Sequence, residues 1–320
     1  MSTNKSYVIW NNKGGIGKST IVSHIASIYA ESNLDRDVII IDLCPQAHSS
    51  LMLMGNTKNS ELKLQELISK DKPKTVVGYI TETLLNGNAE LDKYVTHLNS
   101  INSDLSSNLY LLSGDRNLET ISPLLSKRAE TKSLFISDNP WVDILSIIKK
   151  LTRKKLSDKP CTFFIDTNPS FSIYTQLAIA GANKLLIPIN ANDSSISVTS
   201  NLFNLIWGTK KHAVYGDYTF AERARKYNLE LPKIYCYLIN KKDTIHAHEE
   251  LYNEVINKIY TDYQNNTDKF EKIKENIIDI VKFKNAYTID LTHFNSDVIA
   301  TASKKKSLYR QSIKKFVYNL

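Results

Sequence analysis

The sequence predicts an α/β fold, a mostly parallel, twisted sheet with helices on both faces, and three observations carry that prediction. Apolar runs rich in β-branched and aromatic residues recur along the chain, most of them without the in–out alternation of a half-exposed strand. Stretches with helical spacing separate them, as right-handed crossovers between parallel strands require. A glycine-rich turn lies between the first run and the first helical stretch, where such sheets bind phosphate.

The first run is Tyr7–Trp10, and the helical pattern Thr20–Ala30 follows the turn Lys13-Gly14-Gly15-Ile16-Gly17-Lys18-Ser19. A turn of this kind points successive backbone N–H groups, and the positive end of the helix dipole, at a triphosphate. Lys18 is placed to reach the β- and γ-phosphates and Ser19 to ligate Mg²⁺. The strict phosphate-loop pattern G-x-x-x-x-G-K-[ST] counts its first glycine at position 12, where Asn12 stands, so it is not met; what is met is a variant with an extra lysine, Lys13, at its head. The next runs are Val38–Ile41, Leu109–Leu112, Thr162–Ile165, Lys184–Ile189 and Ile234–Ile239. Ligands of parallel sheets bind beyond the carboxyl ends of the strands, so the turn, Asp42 and Asp166 are expected to converge there. A hard cation prefers carboxylate and water oxygens, and Asp166 at a strand end would hold Mg²⁺ through water.

Between these runs the reading is coarser. Residues 57–108, rich in Asn, Ser and Lys, predict short helices and loops. A long helical stretch is expected from His246 to Lys284, with Leu251, Val255, Ile259 and Tyr263 at helical spacing. His246, His248, Glu249 and Glu250 open it, and because i, i+2 histidines do not share a helical face they predict a solvated helix start rather than a metal site.

Composition narrows the class. With 320 residues and 42% hydrophobic content the chain reads as one domain. No segment approaches the roughly 18 to 20 unbroken apolar residues of a membrane span, and the polar start Met1–Lys5 is no signal peptide, so a cytoplasmic protein is expected. Cys44, Cys161 and Cys236 are too scattered for a disulfide framework or a C-x-x-C pair. A formal charge of +8 favours an anionic partner, nucleic acid or an acidic membrane surface.

The turn K-G-G-x-G-K-[ST] resembles the deviant Walker A of the ParA/MinD family of P-loop NTPases. Further segments are similar in the same order: Asp42-Leu43-Cys44-Pro45-Gln46-Ala47 to its D-x-D-P-Q-[AG], Phe163–Ser170 to its Walker B, Leu185–Asp193 to the stretch after the next strand, and Ser296–Leu308 to the segment before the last helix. The resemblance covers about residues 6–56, 109–206 and 233–318. It implies a single ParA-like domain over 1–320, with helical elaborations around 57–108 and 207–232 and a basic C-terminal helix at 303–320. It also implies ATP and Mg²⁺ as cofactors, with Gly14, Gly15, Ile16, Gly17, Lys18, Ser19 and Thr20 around the phosphates and Asn240 against the adenine. Ser19, Asp42 and Asp166 would serve the metal. Lys13 would reach across an ATP-dependent homodimer to the partner's phosphates, in the manner of an arginine finger. The metabolic members of the superfamily are disfavoured by the missing cysteine pair and the basic tail.

One position departs from the pattern. The second aspartate of D-x-D-P-Q, which positions the attacking water in the family, is Cys44 here, while the first remains as Asp42. A neutral thiol orients water poorly, so Lys13, Lys18, Asp42 and Cys44 together predict a slow, partner-stimulated hydrolase. The alternative is a small buried cysteine in a subfamily that uses other residues. Asn240-Lys241-Lys242-Asp243 also matches N-K-x-D, which reads guanine in GTPases; ATP is the preferred nucleotide.

Residues 301–320 carry Lys304, Lys305, Lys306, Arg310, Lys314 and Lys315 and no acid, with Tyr309, Ile313, Phe316, Val317 and Leu320 on one helical face. Three readings compete: nonspecific DNA held through phosphate contacts, an amphipathic helix lying on acidic lipid, or a terminal helix packed on the domain. The first fits a ParA-like switch that dimerises on ATP, binds DNA near the nucleoid and partitions a plasmid, chromosome or other cargo with a ParB-like or other adaptor. A MinD-like membrane-associated ATPase and a regulatory switch with little hydrolysis are the alternatives.

Overall fold

The structure, a computed structural model, describes residues 3–55, 57–131, 139–190, 194–208, 218–241, 249–271 and 286–290, with 313, 314, 316–318 and 320 at the C-terminal end. In order the elements are β1 (Lys5–Ile9), α1 (Lys18–Ser32), β2 (Asp37–Leu43), α2 (His48–Leu53), α3 (Lys58–Ile68), α4 (Val76–Asn86), β3 (Thr96–His97), β4 (Leu109–Leu112), α5 (Asn117–Glu130) and α6 (Pro140–Thr152). There follow β5 (Cys161–Thr167), α7 (Ile173–Gly181), β6 (Lys184–Asn190), α8 (Ser194–Trp207), α9 (Phe220–Lys226), β7 (Lys233–Lys241), α10 (Glu249–Asn265) and β8 (Ala286–Asp290).

One eight-stranded sheet runs β3-β4-β2-β5-β1-β6-β7-β8, parallel except for β3, which pairs antiparallel with β4. All six expected runs are strands. Every residue of β2 and β5 is buried, as their unbroken apolar sequences require when helices cover both faces. Alternate residues feed two cores. Val8, Ile39, Ile41, Phe163 and Ile165 join α4 to α8 on one side; Tyr7, Ile9, Val38, Ile40 and Phe164 join α1 on the other. Arg36 locks the lower edge of the centre, donating to the Thr162 hydroxyl at 2.7 Å and to the carbonyls of Thr3 and Cys161.

Two strands and one helix end differ from expectation. Thr96–His97 and Ala286–Asp290 extend the sheet at its two edges. Of the expected helix from His246 to Lys284, the described residues show α10, ending at Asn265, after which Phe270 turns inward, buried, to bridge Ile234; residues 272–284 lie outside the described residues. Residues 242–248, which include His246 and His248, lie outside the described residues, as do Lys304, Lys305, Lys306, Tyr309, Arg310 and Lys315. Of the terminal stripe, Ile313, Phe316, Val317 and Leu320 are buried in the α1-side core, while Lys314 faces solvent. The Tyr7 hydroxyl and Lys5 Nζ each donate to the Leu320 carbonyl at 2.7 Å. The described part of this helix therefore packs on the domain.

Candidate phosphate and metal site

The sheet order puts β5 between β1 and β2, so three consecutive strand ends deliver the loop, Asp166 and Asp42 side by side. After β1, the Asn11 side chain donates to the Pro188 carbonyl at 2.7 Å and accepts the Lys13 N–H at 2.9 Å, anchoring the head of the loop to β6. Gly15 and Gly17 have φ of 71° and 81°, the left-handed region that glycine enters at no steric cost. Gly17 is the N-cap of α1, and no side chain caps that end. The first-turn N–H groups are thus left for an anion. A Cβ added at Gly15 would meet nothing within 4 Å, so the turn is open on its outer side. Ile16, buried to 1% exposure, pins the turn from beneath.

Lys18 is buried and its Nζ donates to the Lys13 carbonyl at 2.8 Å. Burial lowers its pKa to about 8, against the upward pull of Asp166 and Cys44. Asp166 stands opposite Asp42 in the β2–β5 register, and both carboxyls are fully buried. Burial, with the Asp42 charge added, raises Asp166 to about 7, while the hydroxyls of Ser19 and Ser49 act the other way. Oδ1 of Asp166 accepts the Thr167 N–H at 2.9 Å; Oδ2 is buried with no hydrogen-bond partner among the described residues.

Asp42 is placed differently. Its Oδ1 accepts the Cys44 N–H at 3.0 Å, and its Oδ2 accepts the Ser50 N–H at 3.0 Å and the Ser50 hydroxyl at 2.6 Å. The Ser50 oxygen in turn accepts the Gly114 N–H at 2.9 Å. A Cβ on Gly114 would sit 2.8 Å from Asp42 Cγ, so only glycine lets the chain after β4 close over this carboxylate. Asp42 therefore braces the turn from β2 into α2. Burial raises its pKa too.

Cys44, 4% exposed, donates its thiol proton to Gln46 Oε1 at 3.1 Å. Burial, with Asp42 and Asp166 adding their charge, pushes that thiol up to about 12, so it is neutral at physiological pH. Asn240, next to last in β7, pairs with Asn190 at the end of β6, on the same edge of the sheet as the loop.

The structure thus brings together Lys13 to Thr20, Asp42, Cys44 and Asp166, and sets Lys314 on a separate helix. Sequence reading missed Asn11, Ser49, Ser50 and Gly114. Only Gly114, a glycine two residues past a strand, carried a local signal.

The donor set fits a magnesium nucleotide. An uncapped helix start takes phosphate, and a single partnerless carboxylate oxygen beside the Ser19 hydroxyl suits an ion that keeps most of its waters. Among the described residues no group of three or more His, Cys, Asp or Glu forms an all-protein cage, which Mg²⁺ does not require.

A family model described as an AAA domain matches residues 4–215. No curated protein matches the chain. A plasmid partition protein from Borrelia burgdorferi is similar over 100% of both chains, at 18% identity and a TM-score of 0.57. An ATP complex of a McdA variant from Cyanothece is 15% identical with a TM-score of 0.61, over 100% of this chain and 96% of its own. Cobyrinic acid a,c-diamide synthase from Mycobacterium smegmatis is 16% identical with a TM-score of 0.59, over 99% and 93% respectively. The architecture is accordingly that of the ParA-like P-loop proteins.

Proposed function

The chain belongs to the AAA domain family, and on that premise we propose that it is a Mg²⁺-dependent ATPase that works as a ParA-like nucleotide switch. The observation that carries the reading is the juxtaposition of an uncapped, glycine-opened helix start with Lys18 and the partnerless Asp166 Oδ2.

The N–H groups of Gly14 to Thr20 bind the phosphates, and Lys18 supplies the charge facing the β- and γ-oxygens. Ser19 and Asp166 are the residues that would hold Mg²⁺, which would supply positive charge to offset that developing on the transferred phosphoryl group. Asp42 acts behind them, keeping the 44–50 turn in place through Ser50. Lys13 completes the partner's site in an ATP-dependent homodimer, and Asn240 lies against the adenine. Cys44 keeps its proton, so it cannot serve as the base or orient water as a carboxylate does. Hydrolysis is consequently slow and rises on contact with an adaptor protein of the ParB kind; a switch acting by binding alone is the second reading that this thiol favours.

The ATP-bound dimer holds nonspecific DNA through Lys304, Lys305, Lys306, Arg310, Lys314 and Lys315, and thereby partitions or positions cargo on the nucleoid in the cytoplasm. That a Borrelia burgdorferi relative is a plasmid partition protein supports this reading. The lipid alternative is weakened because Ile313, Phe316, Val317 and Leu320 are already buried in the core. No helix among the described residues is long and apolar enough to cross a membrane.

The test is DNA retention at moderate salt with no nucleotide, ADP, ATP or GTP, with phosphate release followed in the same samples. Retention that needs ATP, with slow release, is expected. Absence of DNA retention in every nucleotide state overturns the DNA reading, and equal retention with GTP overturns the choice of base.

A further inference from the structure

Three polar atoms of the site are left over once its protein hydrogen bonds are assigned: Asn12 Oδ1 at the head of the loop, and two beside the acidic pair. Asp166 Oδ2 and the Ser49 hydroxyl are both buried, and neither has a hydrogen-bond partner among the described residues. Fully buried polar atoms without partners are rare, and a pair of them at one spot points to a component that is not protein.

The setting of Ser49 is specific. It is the second residue of α2, and the next residue, Ser50, clamps Asp42 Oδ2 with both its N–H and its hydroxyl. That clamp fixes the start of α2 against the end of β2, and β2 carries Asp42 directly opposite Asp166. The Ser49 hydroxyl lies near enough to both carboxyls to favour the charged form of each, while forming no hydrogen bond to either in this structure. Asp166 is thus flanked by two hydroxyls, Ser19 from the start of α1 and Ser49 from the start of α2. Cys44 offers no comparable group, because its proton is engaged on Gln46 Oε1.

We propose that Ser49 is a positioning residue for the divalent cation: its hydroxyl donates to Asp166 Oδ2 and accepts from a water of the ion's shell. A hydroxyl can do both at once, which a thiol does weakly and a carboxylate cannot. In this chain the orientation of the ion's outer shell comes from α2 at Ser49, where the resemblance leads one to look at position 44. The inference rests on the reading that the site binds a divalent cation with ATP.

The experiment measures Mn²⁺ affinity by electron spin resonance on the full chain, with a non-hydrolysable ATP analogue, for wild type, Ser49→Ala and Ser49→Thr. Analogue affinity in EDTA and thermal unfolding are recorded for each. Loss of an outer-shell partner of a metal ligand typically weakens binding about 10- to 100-fold. Ser49→Ala should lose Mn²⁺ affinity in that range, Ser49→Thr should keep most of it, and analogue affinity in EDTA should be the same in all three. Unchanged Mn²⁺ affinity in Ser49→Ala overturns the proposal. Equal losses in the Ala and Thr variants, or a parallel loss of analogue affinity in EDTA, overturn it in favour of a packing role. Wild-type protein that binds the analogue but no Mn²⁺ overturns the metal reading itself, which separates the two failures.

Discussion

Replacing Asp166 by Asn should make the nucleotide-free protein more stable in alkaline solution while destroying its response to Mg²⁺ and ATP. Burial and the neighbouring Asp42 raise the Asp166 pKa to about 7 from an ordinary 3.8. A raised carboxyl pKa means that the native state resists ionisation. Below about pH 4 the group is protonated in both folded and unfolded chains and costs nothing; the cost grows as pH rises and is complete above pH 7. A shift of about three units at about 1.4 kcal/mol each sets an upper limit near 4 kcal/mol. Asp42 shares in that shift, so about 2 to 4 kcal/mol is the expected gain for the variant. Lys18, with a pKa near 8, draws on the Asp166 charge while it is protonated. The comparison is therefore made at pH 9, where Lys18 is mostly neutral, and repeated at pH 5. Urea unfolding in EDTA should show Asp166→Asn more stable than wild type at pH 9, with less than half of that advantage at pH 5. Adding Mg²⁺ and ATP should then stabilise wild type alone. The same advantage at both pH values, or a less stable variant at pH 9, would refute the assignment of a buried charge to Asp166.

Cys44→Asp should raise phosphate release roughly a hundredfold with Mg²⁺ and ATP. It should also lower the stability of the nucleotide-free protein, since a third carboxylate would join two buried ones; an unchanged rate means that another group orients the water. Gly114→Ala should destabilise by about 1 to 3 kcal/mol, because its Cβ would stand 2.8 Å from both Asp42 Cγ and Ala47 Cβ, and urea midpoints equal to wild type would contradict that packing. Phe316→Ala should cost about 3 kcal/mol or more in urea unfolding without lipid, as expected of a ring at 1% exposure in the α1-side core. A neutral result there would return the terminal helix to the membrane reading.

What could be read from the sequence, and what could not, follows from the range over which each feature is determined. The six expected strands are buried on both faces, so their apolar character is written in consecutive residues and survives without knowledge of neighbours. Thr96–His97 is too short to show a pattern, and Ala286–Asp290 is a strand through its pairing with β7. Phe270 fits the helical spacing that runs through Tyr263, yet it bridges Ile234, because an apolar residue serves a helix face and a sheet edge equally well. At the site, the glycine turn was legible since left-handed φ demands particular residues at particular positions. Asn11, Ser49 and Ser50 were not: Asn11 acts on Pro188 of β6, Ser49 faces Asp166 of β5, and Ser50 joins Asp42 to Gly114 after β4, and none of these pairings shows as a local pattern. Position 44 shows how far this reaches. From the sequence the question is what a thiol can do in place of a carboxylate. In the fold the thiol proton is held by Gln46, and Asp42 is held by Cys44 and Ser50. The groups left to face a nucleotide and its metal are the open turn, Lys18, Ser19, Asp166 and Ser49. A change in turnover on altering Cys44 would therefore arise chiefly by adding a group to that set, since the thiol's only proton is engaged on Gln46 and its sulfur is a weak acceptor.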